Sequence, residues 1–192
     1  MLIHAVPVGP LETNCYIVED EKNHAALVID PGDDPAKILR LVKEKELKPL
    51  FIVATHGHYD HLGAIREIKD KLNIPFLMHE QDIWGLPIVG APQPDGFLKD
   101  GDSLKVEGLI FRVIHTPGHT PGGICLYIEK EKVLFSGDTL FFGTHGRTDL
   151  PYSSPEDMKQ SLKRLSRLPP ETKVYPGHDR PTTIGAELLL TS

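Results

Sequence analysis

Four potential metal ligands crowd into the stretch Thr55-His56-Gly57-His58-Tyr59-Asp60-His61, and this stretch limits the possible folds more than any other part of the chain. It follows Leu50 to Ala54, a short apolar run of the kind expected for a buried strand. It precedes Leu62, Ile65, Ile68 and Leu72, whose spacing predicts an amphipathic helix. In extended backbone leaving the strand, His56 and His58 project to the same side, because side chains alternate with period two. Asp60 and His61 then fall at the turn into the helix. Neutral imidazoles beside a carboxylate suit a borderline-soft divalent cation such as zinc, and the carboxylate also serves iron or manganese.

Three further segments repeat one local design, a polar ligand in a Gly-containing turn at the end of an apolar run. They are Thr116 to Gly123 with His119, Ser136 to Thr139 with Asp138, and Pro176 to Asp179 with His178. Glycine allows close approach or positive φ and proline fixes the entry, so each turn holds its ligand rigidly.

The intervening pattern reads as strands at Cys15–Val18, Ala25–Ile29, Ser103–Val106, Leu109–Ile114, Gly123–Ile128, Val133–Phe135 and Lys173–Tyr175. A helix is predicted from Pro35, with Asp34 as its N-cap, to about Lys48, and another over Pro155–Leu168. Two strand-rich halves that each contribute helices predict an α+β architecture of sheet packed on sheet with helices outside. No Gly/Ser linker divides the halves, and 192 residues suit one domain spanning 1–192.

The net charge of −6 leaves no basic stripe for phosphate contacts, so no nucleic-acid partner is expected. No run approaches the roughly 18 apolar residues of a membrane span, and Met1 to His4 lacks a secretory pattern; a cytoplasmic, membrane-free protein is expected. Cys15 and Cys125 lack framework spacing and read as reduced, buried thiols.

Taken in order, His56-x-His58-x-Asp60-His61, His119, Asp138 and His178 resemble the metallo-β-lactamase superfamily, and the surrounding words are most similar to its glyoxalase II branch. The resemblance implies an αββα sandwich, two mixed sheets face to face, with the site at one edge. It implies two divalent ions per chain, the first on His56, His58 and His119, the second on Asp60, His61 and His178, with Asp138 bridging. Asp60 would also orient a water activated between the ions. The implied substrate is a small thioester, S-D-lactoylglutathione, with no serine or cysteine nucleophile required.

At the branch's glutathione contacts, one lysine and two tyrosines, this chain carries Arg147, Asp149 and Arg180. Arg147 and Arg180 are expected to grip a substrate carboxylate through their guanidinium forks, and His145 to line the pocket. The C-terminal glutathione-binding helical domain of longer relatives is expected to be missing. Gly146-Arg147-Thr148-Asp149 also resembles the persulfide dioxygenase branch, which would use one iron on His56, His119 and Asp138. A non-catalytic metal-binding scaffold is a third reading, while the lack of a cysteine ligand at the Asp138 position argues against one class of true β-lactamase. His4, His24 and His79 are expected in surface or hydrogen-bonded roles and His115 as a brace for the turn carrying His119. Tyr59 and Trp84 are expected to pack in the core or at the rim. Oligomeric state is not encoded in any pattern found.

Overall fold

The strand segments Thr13–Asp20, Ala25–Ile29, Ile124–Ile128 and Val133–Gly137 are buried at every position, on both faces, and that requirement sets the architecture. The computed structural model describes residues 1–187, so 188–192 of the expected domain lie outside the described residues. The first sheet contains β1 (Leu2–Val8), β2 (Thr13–Asp20), β3 (Ala25–Ile29), β4 (Lys48–Val53), β5 (Phe76–Met78) and β6 (Gly96–Phe97), in that spatial order. β1 to β3 are antiparallel, and β3 to β6 run parallel. Its helices are α1 (Pro35–Glu44), α2 (Tyr59–Leu62), α3 (Ile65–Leu72) and α4 (Leu86–Val89). The second sheet holds β7 (Ser103–Val106), β8 (Leu109–His115), β9 (Ile124–Ile128) and β10 (Val133–Gly137). A small hairpin, β11 (Leu140–Phe141) and β12 (Thr144–His145), and helix α5 (Pro155–Leu165) follow, and then β13 (Lys173–Pro176) and β14 (Thr182–Thr183) complete the second sheet in the order β14-β13-β10-β9-β8-β7. Only the β10–β13 pair is parallel in it.

Side-chain alternation distributes each strand between two cores. Along β2, Tyr16 and Val18 enter the layer between the sheets, while Cys15 and Ile17 face the helices over the first sheet. Along β9, Ile124, Leu126 and Ile128 point inward, whereas Cys125 and Tyr127 meet Met158, Leu162 and Leu165 of α5. The layers are therefore α, β, β, α, as expected. Cys15 and Cys125 are both free and buried. Among the described residues no helix is long and apolar enough to cross a membrane.

Local details differ from the sequence pattern. α1 stops at Glu44 and not at Lys48: Glu46 turns left-handed (φ 52°), Leu47 N–H bonds Val42 O at 2.9 Å and Glu46 N–H bonds Lys43 O at 3.2 Å. This is a Schellman closure, and buried Leu47 is its hydrophobic partner, not a further helical turn. Asp34 sits at the N-cap position but with φ 49° and no capping bond; its carboxylate instead accepts from Gly9 N–H at 3.1 Å. The single helix expected through Leu72 is two, because Ala64 N–H leaves the helical ladder for Pro31 O at 3.0 Å. α5 ends at Leu165, three residues short of the predicted Leu168. Strands β1, β5 and β6 and helix α4 carried no strong pattern.

Candidate metal centre

All four ligand-bearing turns arrive at one end of the sandwich. His56 to His61 follow β4 and enter α2; His119 lies between β8 and β9; Asp138 and His178 follow the neighbouring parallel strands β10 and β13. Backbone and side-chain bonds stitch the sheets here: Ile124 N–H to Thr55 O at 2.9 Å, Asn14 N–H to Gly177 O at 2.7 Å, and Tyr16 Oη to Pro176 O at 2.7 Å. The turns are packed so closely that a Cβ on Gly177 would stand 2.3 Å from Asp138 Oδ1 and 2.8 Å from His61 Cε1. Only glycine fits between two ligands at that spacing.

The donors gather into three groups whose ligand atoms lie within 4.8 Å of one another: His56, His58 and His119; Asp60, His61 and His178; and His56, His61 and Asp138. Asp138 reaches both trios, with Oδ2 at 3.4 Å from His119 Nε2 and 3.7 Å from His178 Nε2, and Oδ1 at 3.5 Å from His61 Nε2. His178 Nε2 stands 3.2 Å from Asp60 Oδ2. His56, His61 and His119 are buried, whereas the His178 side chain is 26% exposed, so the cluster opens to solvent on the His178 side.

The opposite edges of the rings are pinned. His119 Nδ1–H donates to Arg147 O at 2.8 Å and His178 Nδ1–H to Leu11 O at 3.2 Å. Thr55 Oγ1 donates to Asp30 Oδ2 at 2.7 Å and stands 3.1 Å from His56 Nδ1, which donates to it in turn. Each of these bonds puts the proton on Nδ1 and leaves the Nε2 lone pair facing the centre. His61 Nδ1 is 3.0 Å from Asp30 Oδ2, close enough for strong attraction though not aligned as a hydrogen bond.

Electrostatics follow burial and neighbours. Burial pushes His58 down to about 4 and His56 well below the usual histidine value, with adjacent imidazoles adding to both effects, so these rings are neutral near pH 7. Burial also pushes His61 down, but the charges of Asp30, Asp138 and Asp60 outweigh it and lift the ring to about 9. Burial raises Asp60, yet the bond with His178, the His61 charge and the Thr13 hydroxyl at 2.9 Å hold its carboxyl below the ordinary range. Burial lifts Asp138.

The residues fit a metal pair by a test independent of spacing. His56 Nε2, His61 Nε2, His119 Nε2 and Asp138 Oδ1 are all buried and lack hydrogen-bond partners. Buried polar atoms are rarely left so, and four orphaned ligand atoms within one cluster are what cations would satisfy.

Sequence reasoning missed the supports. Asp82, fully buried, accepts from Gly57 N–H at 2.8 Å, Gly122 N–H at 2.7 Å and Thr120 Oγ1 at 2.6 Å, tying the His56–His58 turn to the His119 turn. Nothing around Asp82 distinguishes it in sequence from a surface acid. Asp30 was visible only as the end of a strand. His115 braces as expected, Nε2–H donating to Pro121 O at 2.8 Å, and His79 stacks on it with centroids 4.3 Å apart. His4 and His24 both bond Glu19. The remaining site residues lie outside the convergent set. Arg147's exposed guanidinium is forked onto Asp149 at 2.8 and 2.9 Å, Arg180 lies 3.7 Å over the Phe142 ring, and His145 Nδ1–H donates to Gly146 O at 2.8 Å.

Similarity to known proteins extends over nearly the whole chain. Hydroxyacylglutathione hydrolase GloC of Haemophilus influenzae is 35% identical, over 97% of this chain and 95% of its own. The crystal structure of TTHA1623 in a di-iron-bound form is similar with TM-score 0.86 and 40% identity, covering 96% of both chains. That of BLEG-1, a B3 metallo-beta-lactamase, gives TM-score 0.89 and 36% identity, covering 97% of this chain and 96% of its own. Residues 8–178 match the model of the metallo-beta-lactamase superfamily, and this chain belongs to that family.

Proposed function

We propose that this protein is a dinuclear metal-dependent hydrolase of thioesters, of the hydroxyacylglutathione type. The observation that carries the reading is Asp138 standing between two complete trios, His56/His58/His119 and Asp60/His61/His178. The GloC likeness over nearly the whole of both chains supports the substrate class, and the di-iron form of TTHA1623 supports two ions, with iron a candidate beside zinc.

A bound divalent cation lowers the pKa of a coordinated water from 15.7 to roughly 7 and polarises a carbonyl oxygen. The chain's own part is to present that water and the substrate to one another. Asp60, kept ionised by His178 and Thr13, accepts a hydrogen bond from the attacking water and orients it. Asp138 fixes the separation of the two trios. A thioester suits such a site, because its thiolate leaves unprotonated and calls for no proton donor. Arg180 is the better carboxylate grip, since Arg147 is already committed to Asp149.

Metal-loaded protein assayed with S-D-lactoylglutathione and with simple acyl thioesters is expected to release free thiol. A fully loaded preparation that releases none from any thioester removes the proposal. The BLEG-1 likeness gives β-lactam hydrolysis a place as second reading, measured by ring opening on the same preparation. Oxygen uptake with glutathione persulfide reports the iron dioxygenase.

A further inference from the structure

The segment Glu80–Val89 faces two ways. Asp82 points inward and holds the ligand turns, while Ile83 and Ile88 stand 41% and 65% exposed. Between them Trp84 is half-buried with its ring edge-on to His58, centroids 5.6 Å apart, directly beside the first trio. Tyr152 comes from the other side, its ring 5.5 Å from Trp84 and inclined at 39°. Tyr152 is 69% exposed and has φ 67°, a conformation that bulky residues rarely adopt. Its loop is held at both sides, by Arg147 O to the His119 ring and by Ser154 N–H to Gly118 O at 2.8 Å. A large aromatic held out in water on a strained backbone, against a second aromatic that touches a metal-ligand candidate, is the form of a binding surface. The His178 side of the centre differs, having the cation Arg180 over Phe142.

We infer that Trp84 and Tyr152 form a specificity subsite that receives an apolar, preferably planar, substituent of the thioester. This inference rests on the thioester reading for the identity of the substrate but not for binding itself. A substrate that is apolar at one end and anionic at the other would lie across the centre from Trp84 to Arg180.

Trp84 is the chain's single tryptophan, so its emission reports this subsite alone. Zinc-loaded protein titrated with the non-hydrolysable S-benzyl thioether of N-acetylcysteamine is expected to show a saturable change in emission, much weaker with the S-methyl thioether. Tyr152→Ala should weaken benzyl binding roughly 3- to 10-fold, the range for losing one aromatic contact, and Tyr152→Phe should restore it. In turnover, the phenylacetyl-to-acetyl ratio of kcat/KM should fall in Trp84→Ala, through KM, and recover in Trp84→Phe. Emission that stays unchanged while the benzyl thioether inhibits, or a ratio unaltered in Trp84→Ala, overturns the subsite. Saturable benzyl binding by a protein that cleaves no thioester would retain the subsite and reject the hydrolase reading, so the two failures are distinguishable.

Discussion

Asp82 illustrates how much of the centre depends on residues that touch no ion. Its two oxygens satisfy Gly57 N–H, Gly122 N–H and Thr120 Oγ1 where no solvent reaches, so truncation leaves three buried donors unpaired at about 1–3 kcal/mol each. Its bonds fall between His56 and His58 and just after His119, so they brace the first trio directly, whereas Asp60 and His61 lie further along the first segment and His178 on neither. Asp82→Ala should therefore weaken one of two metal equivalents by about 10- to 100-fold, the usual effect of losing an outer-shell partner, and leave the other near its original affinity. Equilibrium dialysis resolves this; equal weakening of both equivalents would mean a general loss of structure. The ligands themselves were legible in the sequence because chemistry demands His, Asp and a tight turn at each place. Asp82 and Asp30 were not, because a buried acid and a surface acid have the same letter, and what separates them is which N–H groups the fold brings near.

Helix α5 shows the same division between elements. Its N-terminus was readable: Ser154 accepts from Asp157 N–H at 3.2 Å, Pro155 opens the helix, and Glu156 and Asp157 sit in the first turn. Its role was not. The helix packs on the turn carrying His119, with Ser161 Oγ donating to Pro117 O at 2.7 Å, and a Cβ on Gly118 would lie 2.5 Å from Met158 backbone. Gly118 also has φ 143°, which a side chain tolerates poorly. Gly118→Ala should cost about 1–3 kcal/mol and, at roughly 2–4 °C per kcal/mol for a chain of this size, lower Tm accordingly. Calorimetry checks it, and an unchanged Tm would show that α5 moves freely away from the turn. At α1 the misreading had a clear cause, since Leu47 keeps helical spacing but closes a Schellman turn.

Across the whole molecule the ions would act as a staple between sheets. Asp60 and His61 belong to the first sheet's connections and His119, Asp138 and His178 to the second's, so ligation joins halves otherwise held by the layer between them. Ligand binding stabilises by RT ln(1 + [L]/Kd), about 4 kcal/mol per site at a thousandfold over Kd. Chelation should accordingly lower Tm by about 10 °C per strongly held ion, reversibly on adding zinc or iron. A melting curve indifferent to chelator would separate the centre from the stability of the sandwich. By itself the sequence determined the donor types, the turns that carry them and the layered α+β class, because periodicity and ligand chemistry are local. The tertiary structure alone decided which atoms meet: Asp138 between both trios, Asp82 beneath two turns, Trp84 against His58. Those distances arise from strands β4, β10 and β13, and the β8–β9 turn, ending at one edge of two packed sheets, a relation between residues up to 122 positions apart (56 to 178) that no local pattern encodes.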